Sequence, residues 1–327
     1  MKSPLGRAGW LIVPVALALV PLGAPRYLTA TLTEILIFTV FAMSLDLLVG
    51  YAGLVSLGHA AFFGIAAYAA GLLGVRGGAA LLLSLPAGIV VAAAAALIVG
   101  VFALRAAGVY FLMLTLAFAQ MAFAVAHQWA GLTGGTNGLS GIPRPALPGV
   151  DLGATVPFYY LVLLMSVAAT AALVRLTASP FGAALVGIRV NESRMRVLGF
   201  DTFRVKLTAF VVAGAAAGLS GVLYAYYNGF VSPDVLYWTT SGQVLIMVLL
   251  GGTGTLMGPA VGAAVVLLGQ NLVSSYTERW TLILGAVFIV AVRAAPRGLL
   301  GLLVPAARRQ GESRNVRENV NGDDPAQ

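Results

Sequence analysis

Ten apolar runs, separated by short polar connectors, fill most of this chain and leave it essentially one kind of fold. They cover about Trp10 to Ala24, Tyr27 to Val49, Leu54 to Val75, Ala79 to Leu104, Val109 to Gly131, Pro157 to Leu176, Lys206 to Asn228, Leu236 to Gly252, Met257 to Ser274 and Trp280 to Ala295. Each is near the roughly 20 residues a helix needs to cross a bilayer. Hydrophobic residues make up 60% of the 327 and charged residues only 9%. Such a composition predicts an all-α polytopic membrane protein rather than a soluble domain. The third and eighth runs leave two options open, a full crossing or a re-entrant segment. Charge parity favours crossing. With ten spans and the basic 179–206 segment in the cytoplasm, Lys2, Arg7, Arg105, Arg293, Arg297, Arg308 and Arg309 also fall inside, leaving Arg26, Arg76, Arg144 and Arg279 outside. The positive-inside bias thus predicts about ten transmembrane helices with both termini cytoplasmic. Lys2 and Arg7 before the first run resemble a signal-peptide start, but Pro25 after Ala24 and the many later spans favour retention.

Against this apolar background, residues 179–206 carry Arg189, Glu192, Arg194, Arg196, Asp201, Arg204 and Lys206. Charges at the bilayer centre cost about 2.5 to 3.5 kcal/mol each even on mild scales, so the segment is expected to be wet and cytoplasmic. Pro180 and Gly182 read as breakers of the preceding helix. Asn191 can then cap a short helix whose first turn holds Glu192, Gly199 can stop it, and Asp201 can cap the next helix. Two readings stay open at this point, a solvated connector or a docking helix for a cytoplasmic partner. Residues 1–304 read as one membrane-spanning domain, and 305–327, polar and mixed in charge, as a disordered cytoplasmic tail.

The densest motif is Gly50 to Tyr68, in which Gly53, Ser56, Gly58 and Gly64 alternate with His59, Phe62 and Phe63. Small residues let helices approach closely in lipid, and Gly and Ser also tolerate a broken helix beside a water-filled path. Both explanations fit. Glu34 and Asp46 are path candidates because ionisable groups inside spans are expensive. Gln120, Gln243, Gln270 and Asn271 suit interhelical hydrogen bonds. Two histidines and no cysteine supply no recognisable metal site and no thiolate chemistry. There is no phosphate-binding loop, and Ser56 lacks the spacing of a nucleophile elbow, so neither a nucleotide site nor an enzyme is predicted. The net charge of +8 sits at span ends, which topology explains better than nucleic-acid binding.

Several stretches resemble the permease subunits of branched-chain amino-acid ABC importers: GYAGLVSLGHAAFFGIAAYAA (50–70), YFLMLTLAFAQMAF (110–123), LTGGTNGLSGIP (132–143), the 179–225 segment, VSPD (231–234), MVLLGGTGTLMGPAVGA (247–263) and APRGLLGL (295–302). The long N-terminal span and the TGG-x-NGL loop are more similar to the LivM-like subunit than to its LivH-like partner. The resemblance implies a transport subunit without catalytic residues, metal or cofactor. It further implies a second homologous permease, two cytoplasmic ATPase subunits, an extracytoplasmic solute-binding protein and a place in the bacterial cytoplasmic (inner) membrane. The family's coupling pattern E-x-x-A-x-x-x-G falls on Glu192, Met195 and Gly199, with Met195 in place of the usual Ala. Arg189, Arg194 and Arg196 flank it. The 50–68 stretch, with Gly53, Ser56, Gly58, His59, Phe62 and Phe63, is placed near the translocation path. The cargo implied is a branched-chain or other hydrophobic amino acid, with urea, short amides or aromatic acids as the alternative. An ion-coupled secondary transporter would need midplane carboxylates, of which Glu34 and Asp46 are a thin supply.

Overall fold

The computed structural model describes residues 13–23, 25–77, 81–144, 152–274, 282, 285, 298 and 299. Most of the tenth expected span, the start of the first and the 305–327 tail lie outside the described residues. The chain is an all-α polytopic membrane protein. Among the described residues, seven helices are long and apolar enough to cross a bilayer. They are α2 (Arg26–Asp46), continued by a π turn (Leu47–Ala52), α3 (His59–Gly77), α4 (Leu81–Ala103), α5 (Val109–Gln128), α7 (Thr155–Thr177), α10 (Thr202–Asn228) and α12 (Met257–Ser274). Shorter helices are α1 (Val13–Leu22), α6 (Ala130–Thr133), α8 (Pro180–Val190), α9 (Glu192–Val197) and α11 (Trp238–Gly251).

The centre of the bundle is α2. Its apolar window is 83% buried, against 22% for α4 and for α5, and it packs on α7, α10, α11 and α12. Around it α3, α4 and α10 interlock through small residues. A Cβ on Gly214 would meet the Ala96 methyl, one on Gly218 the Ala92 methyl, and one on Gly221 the Phe63 carbonyl. Close backbone approach of this kind replaces the hydrophobic drive that lipid removes. Gly64 lies against Leu236 and Gly58 against the Thr115 carbonyl, so these two glycines of the 50–68 motif serve packing.

Two crossings are interrupted. After the π turn, Gly53 takes φ +71° and the chain runs without regular structure to His59, where α3 begins beside Ser44, well inside the bundle. The eighth expected span is a helix of only 14 residues, about 21 Å long. It is preceded by a 3-10 turn (Pro233–Leu236) tucked against α3. Turn and helix together carry the chain from one end of the bundle to the other.

The two ends differ. At one, β1 (Leu139–Ser140) pairs antiparallel with β2 (Phe230–Val231), and Arg76 donates to the carbonyls of Gly131 (2.6 Å) and Leu132 (3.2 Å). At the other lie α8, α9, the end of α4 and the 252–256 loop. The sequence predicted one short helix in the 179–206 segment, and the structure has two. Pro180 starts α8 rather than simply ending α7, because proline at a first helical position forfeits no hydrogen bond and already has the right φ. Gly182 lets α8 fold back on α7, since a Cβ there would strike the Thr177 carbonyl.

Gly221→Ala should overpack the α3–α10 contact and cost about 1–3 kcal/mol. Gly242, whose Cβ would meet nothing within 4 Å, serves as control. Thermal unfolding in detergent should show a lowered midpoint for Gly221→Ala and none for Gly242→Ala.

Candidate functional site

The α8–α9 hairpin is the charged feature of the bundle. Asn191 caps α9, its side chain accepting from the Arg194 amide at 2.9 Å, and Asp201 caps α10 by accepting from Arg204 at 3.0 Å. Gly199, at φ +88°, closes α9 with its own amide on the Arg196 carbonyl and that of Phe200 on the Met195 carbonyl, a Schellman end. All three terminators fall where the sequence predicts them.

What ties α9 down is Glu192. Its Oε1 accepts from Arg196 Nη2 (2.7 Å), Lys206 Nζ (2.8 Å) and Thr202 Oγ1 (3.0 Å), the last two on α10. Burial pushes this carboxyl up, but the hydrogen bonds from Lys206 and Arg196, the Lys206 charge and the Thr202 hydroxyl outweigh it and hold it at about 2. Lys206 is buried rather than wet as the sequence suggested. Its stem passes into the bundle while its amine reaches back to Glu192. These side chains, with Leu104, Phe200 and Phe203, line a cleft of about 340 Å³.

Met195 turns inward. Its sulfur lies where a Cβ on Gly187 would come within 2.8 Å, so the larger side chain is absorbed against α8. Val190, Val197 and Leu198 remain exposed, 77%, 88% and 65%, alongside the exposed Arg194, so the hairpin presents both apolar side chains and a cation. Arg189 points the other way and donates to the Gly50 carbonyl within the π turn. Beside it Asp46 accepts from the amides of Gly254 (2.7 Å) and Leu256 (3.1 Å), pinning a loop in which Leu256 holds a positive φ of 54°.

The other sequence candidates fall into a packed interior. The Ser44 hydroxyl lies 2.6 Å from the Phe41 carbonyl and 2.8 Å from His59 Nε2, bridging the two. His59 Nδ1 has no hydrogen-bond partner among the described residues. The His59 ring stacks on Phe41, Phe63 stacks on Phe41 at 4.5 Å, and Phe62 meets Phe210 edge-on at 5.5 Å. Ser56 accepts from the Gly58 amide at 3.2 Å, and Gly53 lies under the Arg189 stem. Glu34 is half-buried near Tyr224 and Tyr227, in the N-terminal half of α2 and away from Asp46 at its C-terminal end. Of the amides, Gln243 donates to Gln270 at 3.0 Å between α11 and α12, whereas Gln120 Oε1 has no partner among the described residues. Sequence reasoning missed Ser241, whose hydroxyl caps α3 at the Ala60 amide (2.8 Å), and Lys206 as a partner of Glu192.

The chain as a whole is similar to known transport permeases. The family described as "Branched-chain amino acid transport system / permease component" matches residues 27–292. The chain is 33% identical over 299 residues to the high-affinity branched-chain amino acid transport system permease protein LivM of Escherichia coli, covering 84% of this chain and 70% of that protein. It is 29% identical over 107 residues to E. coli LivH, a permease of the same named system, covering 32% and 34%. A shorter match, 31% over 147 residues, is to the autoinducer 2 import system permease protein LsrC of Klebsiella pneumoniae, covering 41% and 39%. No solved structure matches.

A carboxylate held at about 2 stabilises its contacts fully above its ordinary 4.5, and loses that contribution as pH falls through about 2. A spin label at Ser193 should therefore stay immobile from about pH 7 to about pH 5 and loosen progressively below about 4.5. In Glu192→Gln the label should be loose across the whole range.

Proposed function

Because the chain belongs to the branched-chain amino-acid transport permease family, we propose that it is the LivM-like subunit of an ATP-driven importer. It forms the translocation path together with a second, LivH-like permease in a bacterial cytoplasmic membrane. The observation that carries this reading is the α8–α9 hairpin. It exposes Val190, Val197 and Leu198 beside Arg194, while Glu192 ties it to α10 and Arg189 ties it to the π turn that continues α2. A helix so placed passes a displacement into the bundle. One of two ATPase subunits seats there on the cytoplasmic side, the other on the second permease, and their closure on ATP shifts the bundle only through the different contacts they make in its two states.

In this reading both termini are cytoplasmic and the β1–β2 end faces outward. The Gly131–Thr155 loop and the Gly229–Thr240 segment, joined by that strand pair, receive an extracytoplasmic solute-binding protein. The cargo is a branched-chain or other hydrophobic amino acid. The match to LsrC, named for a different import system, supports a second reading in which the same machinery carries another small solute.

Radiolabelled leucine should enter proteoliposomes holding the whole complex with ATP inside, with competition by valine and none by urea or benzoate. Hydrolysis of ATP without leucine entry would redirect the cargo assignment. Arg194→Gln combined with Val197→Asp at the tip should lower ATPase co-purification about tenfold, the loss of one interfacial anchor. Full retention of the ATPase would place the docking surface elsewhere.

A further inference from the structure

We propose that Arg189 is a positioning residue for transport. It carries the displacement of the α8–α9 hairpin to the π turn Leu47–Ala52, making the α2–α3 junction the element that α9 moves. The inference rests on the importer reading above and assigns Arg189 a role inside the bundle instead of on the docking surface.

The sequence groups Arg189 with the basic residues of a wet segment, but its guanidinium faces inward and donates to the Gly50 carbonyl. Its stem crosses Gly53, where a Cβ would lie 3.0 Å from Arg189 Cγ. The helical ladder is already broken there. A π turn holds one residue more than an α turn, and such turns are frequent at functional sites. Gly50 also admits no side chain, because a Cβ would run into the Asp46 carboxylate and the Gly254 backbone. Three segments thus meet at one backbone carbonyl: the end of α8, the π turn, and the 252–256 loop that Asp46 holds through two amides.

The path from the tip to that carbonyl is stiff. Met195 packs on Gly187, so α8 and α9 move together. Beyond Gly50 the chain runs through residues 53–58 to His59, where α3 is anchored by Ser44 and Ser241. A shift of the hairpin that pulls on the Gly50 carbonyl therefore moves the end of α2 and the start of α3 at once. An arginine suits this post because its planar, always-charged fork keeps hold of a carbonyl through a displacement.

The test uses the complete complex in proteoliposomes, with Arg189→Ala and Arg189→Lys. Arg189→Ala should keep its ATPases and hydrolyse ATP, while leucine uptake per ATP falls by at least about tenfold, the usual size of a coupling free energy. Arg189→Lys should recover part of that ratio. An unchanged ratio for Arg189→Ala overturns the proposal. So do uptake and hydrolysis falling in step, because that is loss of folded complex. Spin labels at the exposed residues Val55 and Val186 give a second readout. Their separation should stay the same with and without trapped ATP in the parent protein, and should differ between the two states in Arg189→Ala. A separation equally constant in both proteins overturns the link. If the parent complex hydrolyses ATP without carrying leucine, the cargo reading fails on its own and the label distances still decide the role of Arg189.

Discussion

A backbone polar group left unpaired in an apolar interior costs several kcal/mol, and a bundle with interrupted crossings has to find partners for the groups each interruption frees. Here Asp46 meets that demand at the most crowded point. Its two oxygens accept from Gly254 and Leu256, closing the turn between α11 and α12, while its neighbour Gly50 offers the freed carbonyl to Arg189. Ser56 and Ser241 do the same for the start of α3. Asp46 and Ser56, which a sequence reader assigns to a solute path, hold broken backbone together. The breaks give the bundle segments able to shift without melting a whole helix.

The balance between packing and motion follows from where the glycines lie. Along α10 they sit beneath Ala92, Ala96 and the Phe63 carbonyl, building a close seam with α3 and α4. Around the π turn they sit instead beneath Asp46, Arg189 and the 252–256 loop, all polar or backbone contacts. The seam makes α3, α4 and α10 a rigid body. The polar junction is the place where the hairpin grips the end of α2 and the start of α3.

Much of this was legible from the chain. The apolar runs gave the class, and the local grammar of Asn191, Gly199 and Asp201 gave both ends of α9, since caps act within a few residues of themselves. The Gln243–Gln270 pair was legible as interhelical glue. Three features were not. Pro180 carries the same signal for stopping one helix and for starting the next, and only the fold-back allowed by Gly182 decides between them. Ser241 caps α3 across 181 positions, a contact without local trace. The direction of Arg189 was likewise hidden, because neighbouring charges in a basic segment look alike until the bundle draws one of them inward. For His59, Phe62 and Phe63 the composition fits a lining and a core equally, and only the structure shows how closely they pack.

The chain contains only two lysines, Lys2 and Lys206, and the second is buried with its amine on Glu192. That amine is consequently a natural chemical reporter. While α9 rests on α10 it is sheltered from amine-directed reagents, and whenever α9 lifts it comes within their reach. The protein thus carries, without any introduced probe, a label whose modification, read at Lys206 by peptide mapping, records how tightly α9 rests on α10.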